Sequence, residues 1–336
     1  MFLSQFFLNL HFLNPRKVLL WQFFLLVFSV HTTQAIAQPI IRKNGGIDID
    51  KVYELSQKIV TQANDVGIRE QGNYRYIEAN GIPDHNSGSF PNRNNPHSIS
   101  EQNYQFKVPL NPAIADQITE LDRSPFGVAI NGVVFDPGTA EYWNNNRSSG
   151  WRYEALSGVI DLGLDSNHAH VQPNGAYHYH GLPTGLVAQN SGNRLIGYAA
   201  DGFPIYAQYG YTNSNDSASG FAEMQSSYRL KSGQRSGGPG GKHDGTFVQD
   251  YEYVAGAGDL DECNGRWGVT PDYSQGTYHY YITDTFPFIP RCFRGTPDSS
   301  FNRSSGGRSP QSQQERPEHH HHDHFPPHHS HPPRWR

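Results

Sequence analysis

The 336-residue chain carries 26 Lys and Arg against 31 Asp and Glu, a formal net charge of −5 with His neutral. That mildly acidic balance excludes nucleic-acid recognition by bulk charge. With 34 Gly and 23 Pro the chain is too often interrupted for a helical bundle, and a loop-rich, mainly β protein is expected.

In chain order, Arg16 and Lys17 precede an apolar run at residues 18–30 and the small-residue pattern Ala35-Ile36-Ala37. This is the order of a secretory signal peptide spanning residues 1–37. A retained signal anchor is the competing reading, although the run is short for a membrane span. Cleavage after Ala37 removes Arg16 and Lys17 and no acidic residue, which moves the net charge from −5 to −7. No second long apolar run follows, so no membrane span is expected after cleavage.

Residues 40–298 read as a single β-rich domain. One short N-terminal helix is predicted over residues 47–66, where Val52, Leu55, Ile59, Val60 and Ala63 fall near one face. β-rich runs then recur at residues 73–78, 104–108, 127–135, 195–206, 246–254 and 277–283, separated by Gly, Pro, Asn and Asp. Such spacing predicts a sandwich or barrel-like fold with long loops. Residues 214–219 and 232–242 are loops by composition.

Candidate chemistry begins at Asp84-His85, where adjacency suggests an oriented general base or a plain turn. The densest constellation follows: His168-Ala169-His170, a turn at Pro173-Asn174-Gly175, then Tyr177-His178-Tyr179-His180. On a strand, alternation puts His178 and His180 on one face, with Cα atoms about 6.5 Å apart, and the tyrosines on the other. If the turn closes a hairpin, the two His pairs face each other across about 4.8 Å, and three or four imidazoles converge. Neutral imidazole suits Zn, Cu, Fe or Ni. His178, His180, His168, His170, Asp201 and His85 are therefore the candidate metal ligands, Asp201 as a direct ligand or from behind an imidazole. The competing reading is a sheet tied together by Tyr and His hydrogen bonds without any ion.

Cys263 and Cys292 are the two cysteines, and in an exported chain an even pair reads as a disulfide. Beside them, Asp261-Glu262 offers either a hard-cation site or an Asx-type turn, with the turn preferred. The sequons at Asn146, Asn215 and Asn302 matter only in a glycosylating host. Residues 299–336 carry no apolar pattern and are expected to be disordered. Eight histidines crowd into the tail (His319, His320, His321, His322, His324, His328, His329 and His331), which reads as a separate metal-chelating segment or a solubilising one.

An internal repeat is also visible. Leu164-Asp165, Pro173, Gly175-x-Tyr177-His178-Tyr179 and Asp201-Gly202-Phe203-Pro204 recur in order as Leu260-Asp261, Pro271, Gly276-x-Tyr278-His279-Tyr280 and Asp284-Thr285-Phe286-Pro287. The second series lacks the His-Ala-His pair and has Tyr281 where the first has His180. One functional site, not two, is expected.

The motif Tyr177-His178-Tyr179-His180 resembles the signature of the YHYH domain family. The same resemblance extends over Gly81-Ile82-Pro83-Asp84-His85, residues 127–137, Gly197-Tyr198-Ala199-Ala200-Asp201-Gly202-Phe203-Pro204, and residues 245–253, 259–265 and 276–295. It covers most of residues 73–298 and implies an exported protein. It carries over the four motif residues and no catalytic assignment. Together these readings predict a secreted or periplasmic protein with a His-lined site for a transition metal, Cu or Zn. A metal-dependent hydrolase or copper oxidoreductase at the same site is one alternative. A glycan- or partner-binding surface built on the tyrosines is another.

Overall fold

A run such as Tyr74–Ala79, with alternate side chains buried, forms a strand because its apolar face can be covered while its polar face stays wet. In the computed structural model, which describes residues 63–189 and 195–302, elements of this kind dominate. The expected leader, nearly all of the expected N-terminal helix and the expected tail beyond residue 302 lie outside the described residues. The first residues of that expected disordered tail are instead ordered, a short turn at Ser299–Phe301 whose Phe301 is buried against Phe106 because its ring completes the core. The last residue assigned to that helix, Val66, instead opens a strand.

The strands in chain order are β1 (Val66–Gln71), β2 (Tyr74–Ala79), β3 (Tyr104–Pro109), β4 (Thr119–Glu120), β5 (Gly127–Ala129), β6 (Val134–Phe135), β7 (Ala169–Val171) and β8 (Tyr177–Tyr179). After the one short α-helix among the described residues, α1 (Thr184–Gln189), come β9 (Leu195–Ala199), β10 (Pro204–Tyr206), β11 (Tyr209–Tyr211), β12 (Phe221–Glu223) and β13 (Tyr228–Leu230). The series ends with β14 (Tyr251–Tyr253), β15 (Gly265–Gly268), β16 (Thr277–Tyr281) and β17 (Cys292–Phe293). The protein is mainly β, as expected, but it holds no closed barrel. Its main sheet is open, in the order β15-β16-β10-β9-β5-β6-β8-β7. A separate antiparallel meander, β1-β2-β3, places Ile77, Phe106 and Val108 in the same core as Phe126, Val128, Tyr179 and Tyr280 of the large sheet.

The large sheet is symmetric about the β5–β9 pair. On each side a hairpin (β5–β6 or β9–β10) lends its second strand to a parallel pairing with β8 or β16. Each of these then pairs antiparallel with an edge strand, β7 or β15. The two Tyr-His-Tyr strands thus hold equivalent places. Two of the predicted β-rich runs, residues 127–135 and 195–206, are these hairpins. Gly132 and Gly202 turn them at φ 80° and 92°, a left-handed conformation that costs Gly little. A Cβ on Gly132 would also lie 2.5 Å from the Ala79 Cβ. The predicted repeat needs one correction here. Asp201-Gly202 matches Asn131-Gly132 in the first hairpin, not Asp284-Thr285.

The local detail of the two copies agrees closely. Asp165 Oδ1 accepts from the backbone N–H of Asn167 and Ala169, as Asp261 Oδ1 does from Cys263 and Gly265. Tyr177 donates to Asp165 at 2.6 Å, and Tyr278 donates to Asp261 at 2.9 Å. The acidic stretch at residue 261 is therefore an Asx-type turn.

Cys263 and Cys292 form a disulfide with Cα atoms 5.1 Å apart and 29 residues of separation. Closing such a loop in the unfolded chain contributes about 3–4 kcal/mol in the chain-entropy account. Replacing both by Ser is expected to lower the free energy of unfolding by that amount. Denaturant titration checks this, and an unchanged midpoint at unchanged slope would contradict it.

Candidate metal centre

The β7–β8 hairpin sets His170 directly opposite His178. Alternation along β8 then brings His180, one residue past the strand, to the same face. The three ring centroids form a nearly regular triangle, with sides of 4.7, 4.8 and 4.7 Å. Their ligand nitrogens lie within 4.8 Å of one another. His178 and His180 are buried at 2% and 1% exposure, and His170 is half-buried at the mouth.

Hydrogen bonds set the tautomers. A carbonyl oxygen can only accept, so His178 Nδ1 donates to the Ala176 carbonyl at 3.1 Å and His170 Nδ1 donates to the Leu162 carbonyl at 2.9 Å. Both rings therefore present an unprotonated Nε2, the state a metal requires. His180 Nε2 lies 3.1 Å from His170 Nε2. Without an ion, His180 must carry its proton on Nε2 and donate across that gap. This leaves its buried Nδ1 without a hydrogen bond of good geometry. Coordination asks His180 only to move that proton from Nε2 to Nδ1. Two nitrogens on one tetrahedral Zn stand about 3.3–3.4 Å apart at Zn–N distances of about 2.0–2.1 Å, so the His170–His180 spacing suits a shared ion.

Electrostatics keep the rings neutral. Burial, followed by repulsion from His170, pushes His178 down to about 3. Burial also lowers His170, and lowers His180 further, with the neighbouring imidazoles adding to the effect on His180. Three neutral imidazoles at neutral pH are competent ligands without displacing protons to solvent.

The second copy is a control within the same molecule. His279 donates from Nδ1 to the Thr277 carbonyl at 3.0 Å, as His178 does to Ala176. Its Nε2, however, meets the Tyr281 hydroxyl at 2.9 Å. Arg266 occupies the place of His170, opposite His279. That copy is satisfied by hydrogen bonds alone. The first copy replaces the hydroxyl and the guanidinium by two more imidazoles, and His178 Nε2 has no hydrogen-bond partner among the described residues.

The remaining candidate ligands do not join the triangle. His168 sits at φ 53° in the turn before β7 and its Nδ1 donates to the Leu182 carbonyl at 2.8 Å. The left-handed turn takes it out of the strand alternation. His85 packs on the opposite face of β8, its Nε2 2.6 Å from the Tyr179 hydroxyl. Asp84 does not orient it and instead accepts from Asn131 Nδ2. Asp201 is buried in the second copy, where it accepts from the Tyr280 hydroxyl at 2.5 Å and the Gly295 N–H at 2.9 Å. Burial raises its carboxyl to about 6. The eight tail histidines lie outside the described residues.

Sequence reasoning did not find the surroundings of the triangle. A cavity of about 420 Å³ opens on His170 and His178 and is walled by Asn95, Asp136 and Arg152 among others. Arg152 follows no periodic pattern and sits in a loop, so nothing in the sequence pointed to it. Arg291 backs the site from behind by donating to the Pro137 carbonyl at 3.0 Å while paired with buried Glu154 at 2.7 Å.

A family model described as YHYH protein matches residues 105–295, a span that contains the whole triangle and both copies of the sheet repeat. No curated protein and no solved structure matches the chain.

Proposed function

The chain belongs to the YHYH protein family, and from its three convergent imidazoles we propose that it binds a transition metal ion, zinc or copper, outside the cytoplasm. The observation that carries this reading is the mutual approach of three imidazole ligand atoms, two of them held in the ligating tautomer by backbone carbonyls. A bonded sheet would supply a hydroxyl or amide at one of these places, as the second copy does. Imidazole ligands suit zinc and copper, as they suit iron and nickel, so the donor set supports a transition metal and does not by itself choose the member.

Export is supported by the sequence of the leader and by the Cys263–Cys292 disulfide, a bond that persists in oxidising compartments. Among the described residues no helix is long and apolar enough to cross a membrane. The tail histidines serve on this reading as a second, weaker chelator.

The cavity favours a second reading at the same site. Three protein ligands leave a coordination position open, and such openness characterises catalytic rather than structural zinc. Metal-assisted hydrolysis or copper redox chemistry would use it, with the metal acidifying a bound water or polarising a substrate oxygen.

The test is metal stoichiometry of the chain ended at residue 302, which removes the tail. One tightly held equivalent of zinc or copper after dialysis is expected. A metal-free chain that also takes up none on titration would contradict the proposal.

A further inference from the structure

The cavity beside the triangle has a charge pattern of its own. Arg123, Arg147 and Arg152 line it, and the carboxylates among its walls are Asp136 and Glu141. Asp136 is engaged by Gln172 Nε2 at 3.0 Å. Arg123 and Arg147 are exposed at the rim, whereas Arg152 is half-buried. Arg152 Nε donates to the Thr139 carbonyl at 2.7 Å, and its guanidinium lies against Gly138, where a Cβ would come within 2.3 Å of a terminal nitrogen. The group is thereby held in one orientation. Among the described residues it makes no ion pair; Glu154 pairs with Arg291, and the Tyr142 ring centroid lies 5.7 Å from the Arg152 guanidinium carbon. Burial is the largest cause lowering its affinity for a proton; Tyr142 and Glu154 oppose the shift, and Arg291 and Arg147 add to it.

A fixed, half-buried guanidinium with free terminal N–H groups matches the bidentate geometry of a carboxylate or phosphate. Asn95 also lines the cavity, anchored by its side-chain amide nitrogen, which donates to the Val171 carbonyl at 2.9 Å. A volume of about 420 Å³ falls in the range of small-molecule pockets, ~300–1,000 Å³.

We infer that the cavity binds a small organic anion, its carboxylate or phosphate group on Arg152 and its body in the chamber that His170 and His178 share. This names the ligand class for the site proposed above. The placement of the ligand body beside a metal rests on that reading, whereas the Arg152 contact does not. Arg147 and Arg123 at the rim add attraction without fixing orientation.

The test is calorimetric titration of the metal-free full-length chain with inorganic phosphate and, separately, with acetate. Because no metal is present, failure of the metal proposal leaves the result intact. Binding of at least one of the two anions with a Kd of about 10 mM or tighter is expected, weakened at least about tenfold in Arg152→Gln and less in Arg152→Lys. Arg69→Gln, on β1 and outside the cavity lining, should bind as the parent does. The stronger of the two probes tells phosphate from carboxylate. If Arg152→Gln does not fold, Arg147→Gln decides, with an expected weakening of about threefold at unchanged melting temperature. No binding of either anion, or an equal loss in Arg69→Gln, would overturn the inference.

Discussion

The double variant His178→Ala with His180→Ala, in the chain ended at residue 302, is expected to lose its metal entirely. Each substitution removes a ligand nitrogen from a set of three, and the survivor, His170, is a single half-buried imidazole. Loss of one protein-ligand partner group behind a metal already costs about 10–100-fold in affinity, so loss of two direct ligands should exceed about 100-fold. The informative comparison is His279→Ala. His279 is as buried, sits in the equivalent strand and makes the equivalent Nδ1 bond, but its Nε2 is satisfied by Tyr281. Its removal should lower stability and leave metal stoichiometry unchanged. Equal metal loss in both variants would mean that the effect is general damage to the sheet. Unchanged metal in the double variant would remove these residues from the site.

Acid should destabilise the metal-free domain through the same histidines. An unfolded imidazole titrates near 6.5, whereas burial holds His178 at about 3 and His279 at about 4 in the folded chain. Below pH 6.5 the unfolded chain therefore binds protons that the folded chain refuses. Stability that is complete above 6.5 is lost as pH falls toward the folded values. Asp201 works in the opposite sense: its folded carboxyl, raised to about 6, takes up a proton before the unfolded one and offsets part of the loss. A single-site comparison isolates the histidine. Between pH 7 and pH 5 one imidazole that stays neutral when folded accounts for about 2 kcal/mol. Metal-free His178→Ala should thus lose about 2 kcal/mol less than the parent over that interval, whatever its stability at pH 7. Parallel pH profiles for the two chains, from denaturant unfolding, would show that His178 is not held neutral.

The triangle was legible where period-2 alternation governs. His178 and His180 share a face because a strand requires it, and Pro173-Asn174-Gly175 is turn chemistry that folds His170 back opposite His178. His168 was not legible, because its left-handed backbone falls outside any alternation; its counterpart Asn264 has the same conformation at φ 56°. Asp201 was misplaced for a related reason. It ends a strand pair as a turn residue, and its carboxylate is consumed by Tyr280 and Gly295. The repeat was visible as an ordered series, yet the symmetric sheet it builds was not. Two parallel pairings, β6 with β8 and β10 with β16, join strands far apart in sequence, and no local pattern encodes such a choice. Arg152 and Asn95 reach the cavity from loops, where side-chain direction depends on tertiary contacts alone.

Diffraction from crystals of the chain ended at residue 302, soaked in zinc and measured on both sides of the zinc absorption edge, tests the central claim most directly. The account predicts an anomalous peak bonded to Nε2 of His170, His178 and His180 at about 2.0–2.1 Å. A peak elsewhere in the domain, or three rings hydrogen-bonded to one another with no ion among them, would contradict it.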